Sequence, residues 1–348
     1  MNNGYVMLTK YTLISLASFL VSALAVFLLK KYALKRNLLI SQGVPAVGGI
    51  ALGAAFYSVC GTAFIYSRGL SFPTAGILIS SLAMLTIGMV DDRKELSVSA
   101  KFLTQLFCVA VLISFGVKMQ IAGLGSIVNL GLTIIWVLGI TNAFNHLDVM
   151  DGVAAGVAVI VTGGLGVICF LNAAWAIGSP TTAFWPADLN MLLLLLPLMG
   201  AALGFLIFNL PPARVYLGNA GSHFLGFILA SSALALSYAP LERRIALLSP
   251  VLVLGFPVFD TAFVIWMRIL KRRSAFRKSA DHLALRFLKR GHSKPKALFY
   301  MLLLTLFFSL SGILLSRLAN LPGFILISAV VMAGLLVGVR MAKVAVDN

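Results

Sequence analysis

The chain has 348 residues, of which 60% are hydrophobic and only 11% are charged, and its mean hydropathy is +1.03. Soluble domains carry about 25% charged residues, so this composition excludes an ordinary soluble protein. The formal net charge of +17 is of the kind seen in nucleic-acid-binding proteins, but here the basic residues lie between apolar runs, where they fix membrane topology. We therefore predict a polytopic membrane protein with no nucleic-acid partner.

Apolar runs of about 20 residues fill the chain, and each is long enough to cross a bilayer as a helix. No linker separates them, so we expect one integral-membrane domain over residues 1–348. The predicted fold class is all-α, a bundle of about eleven transmembrane helices. The expected spans are residues 8–29, 44–66, 72–90, 102–117, 126–144, 152–172, 189–208, 221–238, 245–267, 297–316 and 321–339.

Lysine and arginine are distributed unequally between alternate loops. With the N-terminus outside, the inner loops hold 21 of these residues and the outer loops hold six. Cytoplasmic loops carry the excess of positive charge, so we predict an outer N-terminus and a cytoplasmic C-terminus. This orientation places all the polar clusters described below on the cytoplasmic side.

Asp91 and Asp92 end the third predicted span. Negative charges at a helix C-terminus oppose the macrodipole, so the pair requires compensation by basic neighbours or by a metal ion. The alternative is a solvated helix end flanked by Arg93 and Lys94.

The segment from Asn142 to Gly152 carries two carboxylates, two carboxamides and an imidazole. Asn145, Asp148 and Asp151 are three residues apart, which places them on one face of a helical turn. Oxygen ligands in this arrangement suit Mg²⁺, which binds carboxylates, waters and substrate phosphates. We interpret His146 as a residue that forms hydrogen bonds locally in the loop.

Glycines mark two further candidate sites. Gly218 and Gly221, followed by Ser222, begin a predicted helix whose free N–H groups can cradle a phosphate; the alternative is that the glycines serve helix packing. The segment from Gly43 to Gly49 indicates a tight entry to the second span and close approach to another backbone, unless it too is only a packing loop.

Asp260 lies near the inner end of the ninth predicted span, and a single acid in an apolar helix indicates a functional site. The strongly basic segment that follows, residues 268–296, is expected to hold the topology, attract anionic lipid headgroups or bind a diphosphate.

In their order along the chain these motifs resemble the polyprenyl-phosphate N-acetylhexosamine-1-phosphate transferases. The resemblance covers about residues 40–295 and is closer to the N-acetylglucosamine branch of the family than to the ten-span peptidoglycan branch. It rests on Pro45-Ala-Val-Gly-Gly49, Gly88-Met-Val-Asp-Asp-Arg93, Asn142-Ala-Phe-Asn-His-Leu-Asp-Val-Met-Asp-Gly152, Arg214-Val-Tyr-Leu-Gly-Asn-Ala-Gly-Ser222, Asp260-Thr261 and Asp281-His282.

The resemblance implies transfer of a sugar-1-phosphate from a UDP-N-acetylhexosamine to undecaprenyl phosphate, with Mg²⁺ as cofactor and release of UMP. It also implies a multi-pass protein of the bacterial inner membrane that begins cell-surface polysaccharide assembly. By motif, catalytic roles fall to Asp91, Asp92, Asp148 and Asp151, and metal binding to Asp260 together with Asp91 and Asp92. The substrate-binding residues would be Asn142, Asn145, Gly218, Asn219, Gly221, Ser222, His282 and Arg286.

The chain also departs from the family pattern. Asn219 stands where the family has an aspartate, Val149 where it often has glycine, and Ala284 and Leu285 where two loop histidines are expected. Because of these differences, a non-catalytic relative is one alternative to the transferase. A transporter or lipid flippase, which would have a similar composition, is another. Which sugar is used, and whether the chain forms a homodimer, stays open.

Overall fold

The computed structural model describes residues 2–67, 69–177, 185–236, 243–272 and 281–346, with side chains from residue 9 onward except for 173–177 and 185–190. Residues 273–280 of the predicted basic segment lie outside the described residues. The described part is a helical bundle, which confirms that the fold is all-α. Its helices are α1 (Asn2–Arg36), α2 (Gly48–Ser67), α3 (Phe72–Arg93), α4 (Val98–Ser114), α5 (Ser126–Leu147), α6 (Val153–Ile177), α7 (Trp185–Asn209), α8 (Gly218–Ala235), α9 (Ser249–Val253), α10 (Gly255–Leu270), α11 (Leu283–Lys289), α12 (Lys294–Leu315) and α13 (Asn320–Ala342).

Eight of these helices are long and apolar enough to cross a membrane: α1, α2, α3, α5, α6, α7, α12 and α13. A ninth candidate is a broken span, in which a 3-10 helix (Arg244–Leu248) and α9 meet α10 at an angle of 74°. The chain is therefore a multi-pass membrane protein. Within the described residues α4 is apolar but has only 17 residues, and α8 is not among the candidates, so this criterion supports eight or nine spans rather than eleven.

A two-residue hairpin, β1 (Ile40–Ser41) and β2 (Val44–Pro45), precedes α2. Its turn residues Gln42 and Gly43 both have positive φ angles, as a two-residue hairpin turn with right-handed twist requires. Pairing continues beyond the hairpin, because the Tyr216 amide donates to the Pro45 carbonyl at 3.0 Å. The segment between α7 and α8 is thereby fixed beside the entry to α2.

Helix α8 lies at the centre of the bundle and packs against α2, α3 and α5. Its residues from Ala220 to Ala233 are buried, so the helix needs no lipid-facing apolar surface, and its polar start is tolerated inside the protein. Close packing depends on glycines: a Cβ on Gly88 would lie 2.5 Å from the Ala220 Cα atom, and a Cβ on Gly49 would collide with the Gly221 backbone. The close backbone approach predicted for the segment ending at Gly49 is confirmed.

Substituting Gly88 by alanine tests this packing. Gly88→Ala should lower the free energy of unfolding by about 1–3 kcal/mol, because α3 would have to move away from α8. Gly139→Ala on α5 is the matched control, since a Cβ there meets no atom within 4 Å and alanine favours the helix by about 0.5–1 kcal/mol. The measurement is denaturant unfolding of the purified protein in micelles; equal stability of the two variants would contradict the packing described.

Candidate active site

The start of α8 is capped by a carboxylate from α3. Asp92 Oδ1 accepts from the Asn219 amide at 2.7 Å, and its Oδ2 accepts from the Ala220 amide at 3.0 Å. Free N–H groups and the helix dipole favour a negative charge at this position. Gly218 has a φ of +74°, and a Cβ there would lie 2.7 Å from Asp92 Oδ2. The predicted phosphate cradle is therefore occupied in this structure by the protein's own carboxylate, and Gly221 serves helix packing.

Three of the predicted substrate-binding residues come together beside this cap. Asn145 at the end of α5 donates through Nδ2 to Asn219 Oδ1 at 2.9 Å and to Ser222 Oγ at 3.1 Å. Asn142, one turn earlier, instead exchanges hydrogen bonds with Gln105 of α4, with Nδ2 donating to Gln105 Oε1 at 2.9 Å. Asn142 thus joins α5 to α4, and its partner Gln105 was not among the residues predicted from the sequence.

Asp148 follows directly after α5, and none of the described residues forms a hydrogen bond or ion pair with its carboxylate. Burial raises the pKa of Asp148 well above its usual value, and the nearby charges of Asp92 and Asp151 raise it further. The Asp151 carboxylate accepts from the Ala213 amide at 3.2 Å and lies 3.3 Å from Lys294 Nζ. Asp92, Asp148 and Asp151 therefore form a cluster of negative charge, which a cation would stabilise.

Asn209, which was not among the predicted site residues, fixes the loop that carries Asp151. It is buried, accepts from the Gly152 amide through Oδ1 and donates to the Val215 carbonyl through Nδ2, both at 2.9 Å. Gly152 has a φ of +80°, which explains the glycine that ends the Asn142–Gly152 segment. A lone asparagine ending an apolar helix was the signal available in the sequence.

Asp260 and His282 form a buried pair at the same end of the bundle. Asp260 Oδ2 lies 2.7 Å from His282 Nδ1, and Asp260 Oδ1 accepts from the Leu283 amide at 2.9 Å. The imidazole of His146 lies against His282, with ring centroids 6.0 Å apart. We interpreted His146 as a residue that forms hydrogen bonds locally in the loop. In the structure its ring contacts His282, so His146 lies beside the Asp260–His282 pair.

Asp91 and Asp92 are adjacent but serve different partners. Asp91 is buried, and its Oδ1 accepts from the Leu96 amide at 2.8 Å while Oδ2 lies 2.9 Å from Lys101 Nζ. The compensation that the sequence analysis required for this pair therefore comes from a lysine in α4 for Asp91 and from the α8 amides for Asp92.

Arg286 is buried and bound to partners inside the protein. Its side chain is 1% exposed, Nη2 donates to Asp281 Oδ1 at 2.6 Å, and Nη1 donates to the Met341 carbonyl at 2.9 Å and the Val344 carbonyl at 2.6 Å. Asp281 also pairs with Lys271 Nζ at 2.7 Å. In this structure the guanidinium holds α11 to the end of α13 and is unavailable to a diphosphate, contrary to expectation.

The polar side chains at this end of the bundle include possible ligands for Mg²⁺. In the described part of the chain no three His, Cys, Asp or Glu side chains converge as metal ligands. Mg²⁺ is nevertheless usually held by one or two carboxylates, with waters and substrate phosphates completing the octahedron. Asp148 offers a carboxylate with no internal partner among the described residues, and the oxygens of Asp92 retain further acceptor capacity beside it. The residues present therefore fit a substrate-bridged Mg²⁺.

Comparison with known proteins identifies a match to glycosyl transferase family 4 over residues 74–237. The chain is 32% identical over 285 residues to the "Probable undecaprenyl-phosphate N-acetylglucosaminyl 1-phosphate transferase" of Bacillus subtilis (strain 168), covering 78% of this chain and 73% of the relative. It is 28% identical over 298 residues to the "Undecaprenyl-phosphate alpha-N-acetylglucosaminyl 1-phosphate transferase" of Thermotoga maritima, covering 85% and 86%.

A third relative is the "Decaprenyl-phosphate N-acetylglucosaminephosphotransferase" of Mycobacterium tuberculosis (strain CDC 1551 / Oshkosh). It is 30% identical over 280 residues, covering 72% of this chain and 66% of the relative. These similarities confirm the resemblance that the motifs indicated. The family match contains the carboxylates of α3, the Asn142–Gly152 segment and the start of α8.

Arg286→Gln tests whether this arginine is a structural residue. The substitution leaves the buried Asp281 carboxylate with one cation fewer and leaves the carbonyls at the end of α13 without their donor. We expect a loss of about 3–5 kcal/mol in unfolding free energy. The exposed Arg290, one turn further on, is the control: Arg290→Gln makes the same charge change and should leave stability within about 0.5 kcal/mol. Thermal unfolding in detergent measures both, and an unchanged melting temperature for Arg286→Gln would refute the assignment.

Proposed function

This chain belongs to glycosyl transferase family 4, and from that membership we propose that it transfers N-acetylglucosamine-1-phosphate from UDP-N-acetylglucosamine to a polyprenyl phosphate. The products are polyprenyl-diphosphate-N-acetylglucosamine and UMP, and the reaction is the first lipid-linked step of cell-surface glycan assembly. The observation that carries the proposal is Asp148, a carboxylate without an internal partner among the described residues. It lies near the charges of Asp92 and Asp151, at the end of the bundle that also holds Asp260 and His282.

The bundle suits a reaction between a lipid and a soluble nucleotide. We propose that α4 and α8 also cross the membrane, so that eleven spans bring the C-terminus to the cytoplasm. Helix α8 would be shielded by its neighbours, whereas α4 would present Phe102, Leu103 and Phe107 to the lipid. The excess of lysine and arginine at the site end of the spans supports this orientation. The polyprenyl phosphate then reaches the site from the inner leaflet, and the UDP-sugar reaches it from the cytoplasm.

The electrostatic problem of the reaction is repulsion between two anions. A phosphate monoester has a second pKa of about 6, so polyprenyl phosphate is already largely a dianion at neutral pH and needs little help from a general base. When bound, Mg²⁺ would neutralise charge on the transferring diphosphate and stabilise the charge that develops there. Asp148 and Asp92 would hold the metal, and Asp151 would orient Asp148 and the adjoining loop.

The remaining polar residues divide into positioning and binding roles. Asp260 orients His282, so that His282 and the neighbouring His146 can present imidazole N–H donors to the diphosphate. Asn145, Asn219 and Ser222 form a hydrogen-bonded set beside the capped helix. Asn219 supplies an amide oxygen to Asn145, and this acceptor role does not require the aspartate of the family pattern. The departure at this position is therefore compatible with a working site.

Mg²⁺-dependent transfer of label to the lipid distinguishes a transferase from a flippase or a non-catalytic relative. Purified protein supplied with UDP-N-acetylglucosamine labelled in the sugar, polyprenyl phosphate and Mg²⁺ should move label into the organic phase, and EDTA should abolish that transfer because the diphosphate charge is no longer screened. A flippase or a non-catalytic relative would leave the label in the aqueous phase under both conditions. A panel of other UDP-N-acetylhexosamines in the same assay identifies the preferred sugar.

Asp148→Asn tests the central residue. Loss of its charge should lower turnover at least about 100-fold, since metal-assisted charge stabilisation contributes several kcal/mol. Stability should be unchanged or slightly increased, because the carboxylate lacks an internal partner in the described structure. Glu95→Gln, at an exposed acid after α3, is the matched control and should keep full turnover. Near-wild-type turnover by Asp148→Asn would remove Asp148 from the mechanism.

A further inference from the structure

A basic cavity lies where the end of α13 meets the end of α11, apart from the site described above. Its volume is about 430 Å³, and it is lined by Arg290, Arg340, Lys343 and Val344. We call it the α13 pocket. Its three cationic side chains are exposed, and across the ranges that the structure describes none of them has an ion-pair partner. A concave surface with three convergent positive charges is suited to an anion.

Basic residues at the inner ends of membrane spans often do no more than hold topology, so charge alone does not define a site. The α13 pocket differs because its cations come from two segments that are fixed to each other. Arg286 donates to the Val344 carbonyl at 2.6 Å from inside the protein, and the Arg290 amide donates to the Arg286 carbonyl at 3.0 Å. The backbones that carry Arg290 and Lys343 are therefore held in place before any ligand arrives.

The position of the pocket on α13 identifies the source of the anion. The last turns of this candidate span expose large apolar side chains, including Leu335, Leu336 and Val339. Acyl chains of the bilayer can cover that surface, and the headgroup of the same lipid then lies level with Arg340 and Lys343. Basic pockets at the ends of transmembrane helices bind anionic headgroups in this way.

We propose that the α13 pocket binds the headgroup of an anionic phospholipid and that the bound lipid stabilises the segment that carries Asp281 and His282. Val344 lines the pocket and is the residue whose carbonyl Arg286 holds. Arg286 also holds Asp281, and the next residue, His282, pairs with Asp260. A headgroup that fixes the end of α13 therefore reduces movement of His282 through one chain of contacts. This second part of the proposal rests on the proposed function, whereas the binding part does not.

The binding experiment uses the full-length protein in detergent, titrated with phosphatidylglycerol or phosphatidylcholine and followed by native mass spectrometry. The variant Arg290→Gln/Arg340→Gln/Lys343→Gln should bind the first phosphatidylglycerol roughly 100-fold more weakly, since each basic residue near the membrane surface contributes about fivefold to anionic-lipid binding. Phosphatidylcholine binding should not change. The charge-conserving variant Arg290→Lys/Arg340→Lys should retain most of the affinity for phosphatidylglycerol.

A matched control removes the same number of charges elsewhere. Lys30→Gln/Lys31→Gln/Lys35→Gln, at the end of α1, should keep the tight phosphatidylglycerol binding if a defined pocket is responsible. Equal losses in the two triple variants would show general surface attraction and overturn the proposal. Displacement of phosphatidylglycerol by inorganic phosphate at low millimolar concentration would also overturn it, because the ligand would then be free phosphate.

Coupling between the pocket and the segment that carries Asp281 and His282 is measured separately as transferase turnover in nanodiscs. Replacing part of the phosphatidylcholine by phosphatidylglycerol should raise turnover of the wild type several-fold and leave the pocket variant unchanged. Equal stimulation of both proteins would overturn the coupling, while the binding result would still stand. Absence of turnover in the wild type would count against the proposed function rather than against the pocket.

Discussion

The arrangement of the site depends on which groups accept hydrogen bonds from the backbone N–H groups at the start of α8, inside an apolar bundle. Buried backbone amides must find acceptors, and Asp92 supplies both of its oxygens to the amides of Asn219 and Ala220. The contact is possible because Gly49 and Gly88 let α2 and α3 approach the backbone of α8, and because Gly218 leaves room for the Asp92 carboxylate. Once α8 is fixed in this way, Asn145 reaches Asn219 and Ser222, and the end of α5 brings Asp148 close to Asp92.

The acids at this end of the bundle are of two kinds. Most have a partner inside the protein and hold the structure together, whereas one has no such partner among the described residues. Asp91 is paired with Lys101, Asp281 with Lys271 and Arg286, and Asp260 with His282. Pairing lowers the cost of burying each of these charges. Asp148 has no such partner among the described residues, and burial, followed by the charges of Asp92 and Asp151, raises its pKa, so its ionised form is costly. A cation delivered with a diphosphate would remove that cost, which is why we assign Asp148 the central role.

The fold class and the set of motifs could be predicted from the sequence. Each long apolar run has the length of a helix that crosses a bilayer, and the polar segments lie between these runs. It could not identify which polar groups pair. Asn142 binds Gln105 and Arg286 binds the end of α13, and both partners are distant in the chain. The central position of α8 was equally hidden, since residues 221–238 were predicted as a span but the sequence did not show that other helices surround it. The site was therefore predicted as a group of residues, but the division between structural and reactive members came from tertiary contacts.

The central claim is that a sugar-1-phosphate, rather than a sugar alone, is transferred to the lipid. Its most direct test uses UDP-N-acetylglucosamine labelled with ³²P in the β-phosphate, incubated with the purified protein, polyprenyl phosphate and Mg²⁺. We expect the ³²P to enter the lipid product while unlabelled UMP is released in equal amount. Label that remains in the aqueous phase as UDP while the sugar moves to the lipid would contradict the account.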